Sequence, residues 1–158
     1  MNIFDIIRAD KTNLNLGSWK SGKIPHSVFP LSRGSLQLGR GWEWRNVTFD
    51  ALGRSFRVLV GISEEKEFYR AMLAMDDEKL LKVICHHELH TTHWNWHCHL
   101  YTGDVNDIYP GVLRDKEKFI PWPAFSQDEC SVGFNLDKAS ALTKAAVRFR
   151  FQAQGGFL

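Results

Sequence analysis

The pattern of hydrophobic and polar positions divides the chain into segments of different character. Residues 42–49 and 54–62 are rich in aromatic and β-branched side chains, which is typical of β-strands. Between them, Asp50-Ala51-Leu52-Gly53 offers a tight turn with a glycine where a positive φ is needed. These two segments therefore predict a β-hairpin.

Residues 64–75 follow a helical pattern. Ser63 stands at an N-cap position, and acidic side chains that suit the helix dipole occupy the first turn: Glu64, Glu65 and Glu67. Phe68, Met72 and Met75 recur at i, i+4 and i+7 and form one apolar stripe, with Tyr69 beside it. We expect a helix whose stripe packs into the core.

The rest of the chain completes an α+β prediction. Residues 80–90 and 94–102 indicate two further strands, and Asp137 caps a last helix within residues 135–150. Closely spaced glycines and prolines predict an irregular arm at residues 1–41 and a Pro-rich loop at residues 103–134. The order β-β-α-β-β-loop-α predicts an antiparallel sheet with helices packed on one face.

A chain of 158 residues fits one domain, with residues 42–102 as its hairpin-helix-hairpin core. A hydrophobic fraction of 44% and a charged fraction of 24% exclude disordered, collagen-like and coiled-coil classes. The formal charge of +2 is too small to argue by itself for a nucleic-acid partner.

Cysteine use and hydropathy set the expected compartment. The cysteines are odd in number, namely Cys85, Cys98 and Cys130, and Asp5 and Arg8 interrupt the apolar stretch that a signal peptide would need. No run approaches the roughly 20 apolar residues that cross a bilayer. We expect a cytoplasmic protein with no membrane partner.

Six of the seven histidines lie between residues 86 and 99. Side chains alternate between the faces of a strand, so each of the two predicted strands has one apolar and one polar side. An antiparallel register that buries both apolar sides pairs residues whose numbers sum to 187, 185 or 189. Each register gathers the same polar set with neighbouring Cβ atoms about 5 Å apart: His86, Glu88, His90, His97 and His99.

Imidazoles with one carboxylate suit Zn²⁺, Mn²⁺, Fe²⁺ or Ni²⁺ and do not suit Ca²⁺. We therefore predict a divalent metal site at His86, His90, His97 and His99, with Glu88 as a catalytic or ligand-orienting carboxylate. A rival site on the other face, Cys85, His87 and Cys98, has the donors of structural zinc. A third interpretation is a metal-free, histidine-lined binding face that responds to pH.

The segment His97-Cys98-His99-Leu100 resembles the His-hydrophobic-His motif of the HUH endonucleases. With His90 seven residues upstream of His97, it is similar to the three-histidine motif of plasmid mobilisation relaxases. The resemblance implies that the histidines hold a divalent ion that polarises a scissile phosphate. It also implies a tyrosine nucleophile on an earlier helix, a place that Tyr69 occupies.

Three further residues are candidates for the site. Asp104 directly follows the second strand and can supply a ligand or a general base for metal-bound water. Arg114 can bind a phosphate, and Trp94 is a candidate substrate contact. The leading hypothesis is a metal-dependent phosphodiesterase or nuclease that acts on nucleic acid or a nucleotide. The alternative is a non-catalytic metal-binding protein with a nucleic-acid or protein partner.

Overall fold

A computed structural model describes residues 1–90, 95–123 and 133–154. In these residues one antiparallel sheet of eight strands dominates, accompanied by two α-helices. The elements are α1 (Ile3–Arg8), β1 (Thr12–Asn15), β2 (Lys20–Ser21), β3 (Glu43–Ala51), β4 (Arg54–Ser63), β5 (Phe68–Asp77), β6 (Leu80–His90), β7 (His97–Leu100), β8 (Ile120–Trp122) and α2 (Lys138–Phe149). The strands follow the order β1-β3-β4-β5-β6-β7-β8, and β2 also pairs with β3.

The combination of an antiparallel sheet with helices is confirmed, but the predicted order of elements is wrong. The β3–β4 hairpin turns at Leu52 and Gly53, whose φ angles of 54° and 73° are both positive. Such a two-residue turn matches the twist of the paired strands. The hairpin predicted from residues 42–62 is therefore present.

The helix predicted at residues 64–75 is a turn followed by strand β5. The Ser63 hydroxyl accepts a hydrogen bond from the Lys66 backbone N–H at 3.1 Å, and Glu67 adopts a φ of 51°. The apparent helix cap thus closes a turn between β4 and β5. Strand β5 lies between β4 and β6 and is buried on both faces, so its side chains do not alternate in polarity.

Strand β6 contains a β-bulge that changes which side chains share a face. Leu73 pairs with Cys85 and Ala74 with Val83, so Ile84 is the extra residue. Val83 therefore lies on the same face as His86, and Leu81 lies there too. Simple alternation along β6 would place Leu81 and Val83 on the face of Cys85, and the bulge is the reason that they lie on the opposite face.

The two faces of the sheet carry separate cores. We call the first the helix side, because buried residues of both helices pack there, including Ile3, Ile6, Leu142 and Phe149. We call the second the arm side, because residues before β3 cover it, including Ile24, Phe29 and Leu31. The arm predicted at residues 1–41 contains α1, β1 and β2 and also supplies this cover.

The C-terminal helix is as predicted. Asp137 is its N-cap and exchanges hydrogen bonds with Ser140 in a capping box. The Pro-rich segment contains β8 and a short 3₁₀ helix, Val105–Asp107, while β7 is shorter than the predicted strand at residues 94–102. Neither α-helix of the described chain has the length and apolar character that a membrane crossing requires.

Candidate metal centre

The histidine-rich segment forms the neighbouring strands β6 and β7. Glu88 pairs with His97 and His86 with His99, which is the register whose residue numbers sum to 185. On the other side of β6, Arg70 pairs with Glu88 and Phe68 with His90. Because side chains directly opposite one another share a face, this pairing gathers the polar side chains at one end of the arm side.

Glu88 lies at the centre of the cluster. Its Oε2 atom is 3.4 Å from Nε2 of His97 and 3.6 Å from Nε2 of His90. Two ligands about 2.1 Å from one tetrahedral metal ion lie about 3.4 Å apart. Glu88, His90 and His97 are thus close enough to hold a metal ion, and all three are buried.

A backbone carbonyl fixes the tautomer of His97. Its Nδ1 atom lies 2.8 Å from the Asn95 carbonyl oxygen, which can only accept, so Nδ1 carries the hydrogen. In the neutral ring, Nε2 therefore presents its lone pair to the Glu88 carboxylate. A cation bound by Nε2 would reproduce the arrangement of metal-binding histidines, whose other ring nitrogen donates to a carbonyl or a carboxylate.

His86 is held in the same way from its other nitrogen. Nε2 donates to the Leu113 carbonyl oxygen at 2.8 Å, which leaves the Nδ1 lone pair of the neutral ring facing inward. This Nδ1 is buried and has no hydrogen-bond partner in the part of the chain described. It lies 3.7 Å from Oε1 of Glu88, which is too far for a hydrogen bond. A buried polar atom without a partner is costly, and a metal ion would satisfy it.

Charges around the cluster keep Glu88 ionised. Burial raises the pKa of Glu88, but its contacts with His86, His90 and His97 and the charge of Arg70 outweigh burial and hold it well below the usual range. Burial lowers the pKa of His86. A carboxylate beside a neutral imidazole is the ligand state that divalent metals require.

Aromatic rings hold the histidines in place. Phe68 stacks on His90 with ring centroids 4.6 Å apart, and Phe119 meets the His86 ring edge-on at 5.9 Å. The His97 ring contacts both His90 and His99 edge-on, each at 5.1 Å. The imidazoles are therefore confined by packing as well as by hydrogen bonds.

Two more of the predicted residues are close to this centre. His99 is half-buried, and burial together with the nearby Arg114 lowers its pKa to about 4. Arg114 interacts electrostatically with Glu88 as well, and burial lowers its pKa. The structure thus brings a positive side chain to the edge of the cluster.

Other predicted site residues lie elsewhere. Tyr69 is in strand β5, not on a helix, and it is fully buried on the helix side, where its hydroxyl lies 3.0 Å from Nδ1 of His87. Asp104 caps the 3₁₀ helix through the Asn106 N–H and lies 3.7 Å from the N-terminal amine. Neither belongs to the Glu88 cluster. Trp94 falls outside the described residues.

The rival zinc site does not form. Cys85 and Cys98 are buried on the helix side with His87, but two guanidinium nitrogens of Arg148 lie 3.4 Å and 3.1 Å from Sγ of Cys98. Among the described residues, Glu88, His90 and His97 are the group whose donor atoms converge.

Comparison with known proteins does not identify the function of this centre. No family model, curated protein or solved structure matches the chain. The resemblance to HUH endonucleases therefore stays a prediction that rests on His90, His97 and His99.

Sequence reasoning missed Arg70 and Phe68 as members of the site. Nε of Arg70 lies 2.9 Å from Oε1 of Glu88, and Phe68 stacks on His90. Both residues lie in the segment whose pattern predicts a helix, and a helix there would not be part of the sheet. If residues 68–77 had been assigned to a strand beside β6, the alternation of its side chains would have placed both next to the histidines.

Proposed function

We propose that the protein binds one divalent metal ion through Glu88, His90 and His97 and hydrolyses phosphodiester bonds in a nucleic acid or nucleotide. The observation that carries the metal assignment is the convergence of Oε2 of Glu88 with two imidazole Nε2 atoms at 3.4 Å and 3.6 Å. Two histidines and one carboxylate suit Zn²⁺, Mn²⁺, Fe²⁺ or Ni²⁺.

Three protein ligands with a further open position are typical of catalytic zinc sites. In such a site the ion lowers the pKa of a bound water and polarises a phosphoryl oxygen. His86 offers its inward Nδ1 as an additional donor on the Oε1 side of Glu88. His99, whose ring meets that of His97 edge-on at 5.1 Å, is a candidate for a further ligand at the edge of the centre.

The charge around the centre favours an anionic substrate. Glu88 is the acidic member of the cluster, whereas Arg70 and Arg114 are both close enough to interact with it electrostatically. A divalent ion would add two positive charges and leave the site net positive. Such a field attracts phosphate groups. Tyr69 takes no part in this proposal, because it lies on the helix side of the sheet.

A structural metal is the second candidate function, and burial is the observation that favours it. Glu88 is 2% exposed and His97 is 3% exposed, as in closed sites whose role is to stabilise a fold. In that case the protein binds a nucleic acid or a protein without turnover. The two candidates differ in whether a metal-loaded protein hydrolyses a substrate.

The test is hydrolysis by protein loaded separately with each of the four metals. The probes are bis(p-nitrophenyl) phosphate and a single-stranded oligonucleotide. His97→Gln removes one ligand, and His26→Gln is the matched control because His26 is an exposed histidine outside the cluster. We expect turnover in the wild type and in His26→Gln and only background hydrolysis in His97→Gln. A metal-loaded wild type without turnover would favour the structural role, and full activity in His97→Gln would refute the proposed centre.

A further inference from the structure

A cavity of about 580 Å³ lies between residues 31–37 of the N-terminal arm and residues 111–114. Its lining combines two arginines with polar and apolar side chains, among them Arg33, Arg114, Ser35, Gln37, Leu36 and Val112. This volume lies within the usual range of small-molecule sites, which have mostly apolar walls and a few polar groups.

The backbone connects this cavity to the histidine cluster. Leu113, in the cavity wall, accepts the hydrogen bond from Nε2 of His86. The two walls meet where the Ser32 N–H donates to the Gly111 carbonyl at 3.0 Å. Gly111 has a φ of 83°, and a side chain there would overlap the Ser32 hydroxyl. The walls are therefore fixed relative to each other and to His86.

Arg114 lies where the cavity adjoins the cluster. It lines the cavity and interacts electrostatically with Glu88 and His99. Its side chain is half-buried, yet its guanidinium forms no hydrogen bond or close ion pair with any residue in the described ranges. A guanidinium presents five donors in a planar fork that matches the oxygens of a phosphate. A partly desolvated fork that meets no acceptor among the described residues is a suitable anion site.

The remaining lining suits the rest of a nucleotide. Leu36 and Val112 offer apolar surface, whereas Ser35 and Gln37 offer donors and acceptors. Arg33 is exposed and gives the cavity a second positive charge. A bare phosphate would leave most of the 580 Å³ unfilled.

We propose that this cavity binds one nucleotide unit, with its phosphate on Arg114 beside the metal centre and its sugar and base between the two walls. This inference deepens the proposed function, because it assigns the substrate class to nucleotides and rests on the same centre for hydrolysis. Binding of the nucleotide in the cavity does not require the metal. Binding and metal content can therefore be measured separately.

The test is calorimetric titration of the full chain with adenosine monophosphate, inorganic phosphate and adenosine, in chelator and after metal loading. Arg114→Gln removes the phosphate contact, and Ser35→Trp fills the cavity from an exposed position. Arg8→Gln, an exposed arginine on α1, is the control for loss of one positive charge. Circular dichroism of each variant verifies the fold.

We expect the wild type and Arg8→Gln to bind the nucleotide more tightly than phosphate or adenosine. Arg114→Gln should weaken nucleotide binding about tenfold or more, as expected for loss of a charge-assisted pair. Ser35→Trp should weaken binding of the nucleotide and leave that of phosphate unchanged. Equal nucleotide affinity in Arg114→Gln and the wild type would overturn the inference, as would phosphate binding as tightly as the nucleotide. If the protein binds no metal but still binds the nucleotide through Arg114, the proposed hydrolysis is refuted and the nucleotide site is retained.

Discussion

Arg70 holds one carboxylate oxygen of Glu88 and leaves the other to the histidines. Nε of Arg70 lies 2.9 Å from Oε1, whereas His90 and His97 direct their Nε2 atoms at Oε2. The two residues are direct partners across strands β5 and β6. Arg70 therefore positions Glu88 from outside the donor group, as the partners of metal ligands commonly do.

Replacement of Arg70 by methionine should weaken metal binding. The apolar stem is kept, but Oε1 loses its donor, and Glu88 becomes free to rotate and to take up a proton that competes with the ion. We expect the metal dissociation constant to rise about 10- to 100-fold, the usual effect of losing such a partner. Competition titration with a chromophoric chelator measures it. Arg70→Lys should give an intermediate value, and an unchanged constant in Arg70→Met would show that Arg70 does not position Glu88.

Chelation should destabilise the protein through the same centre. A ligand that binds only the folded state stabilises it by about 2.7 kcal/mol when its free concentration is 100 times its dissociation constant. For a chain of this size that corresponds to a shift of about 5–10 °C in Tm. We expect the chelator to lower the Tm of the wild type and of His26→Gln by this amount in calorimetry. His90→Gln should show almost no shift, and an equal shift in that variant would argue against His90 as a ligand.

His87 should make stability depend on pH independently of the metal. Burial and the charge of Arg148 lower the pKa of His87 to about 3, against about 6.5 in an unfolded chain. Between these values the unfolded chain binds a proton that the folded protein does not. The neutral His87 ring therefore makes its full contribution to the free energy of unfolding above about pH 6.5. This contribution is lost as the pH falls, with a slope of at most about 1.4 kcal/mol per pH unit.

Urea denaturation in chelator between pH 7 and pH 4 tests this contribution. The double variant Tyr69→Phe/His87→Phe removes the titrating ring together with its hydrogen-bond partner, so that no buried polar atom of the pair is left unpaired. We expect its free energy of unfolding to fall less steeply with decreasing pH than that of the wild type. Identical slopes would show that His87 is not the source of the pH dependence.

The polar side of the histidine hairpin could be predicted because strand alternation is a local property. Once residues 80–90 and 94–102 were assigned to strands, every register that buried their apolar sides gathered the same histidines with Glu88. The observed pairs, Glu88 with His97 and His86 with His99, belong to this set. The choice among the three registers depends on contacts outside the hairpin and could not be made from the sequence.

Strand β5 and the bulge in β6 could not be predicted, because both depend on neighbouring strands. β5 is covered on both faces, so Phe68, Met72 and Met75 fit a helical stripe as well as a buried strand. The bulge at Ile84 interrupts the alternation of β6 without any glycine or proline to mark it. The helical pattern is the reason that Arg70 could not be recognised as part of the site. The bulge is the reason that Leu81 and Val83 lie on the face opposite Cys85.

Metal stoichiometry tests the central claim most directly. Protein purified without a histidine tag is reconstituted with zinc or manganese, desalted and measured by elemental analysis, alongside Glu88→Gln, His97→Gln and the control His26→Gln. The proposed centre predicts about one equivalent in the wild type and in His26→Gln, and almost none in the other two variants. A wild type that holds no metal after reconstitution, or variants that hold as much as the wild type, would contradict it.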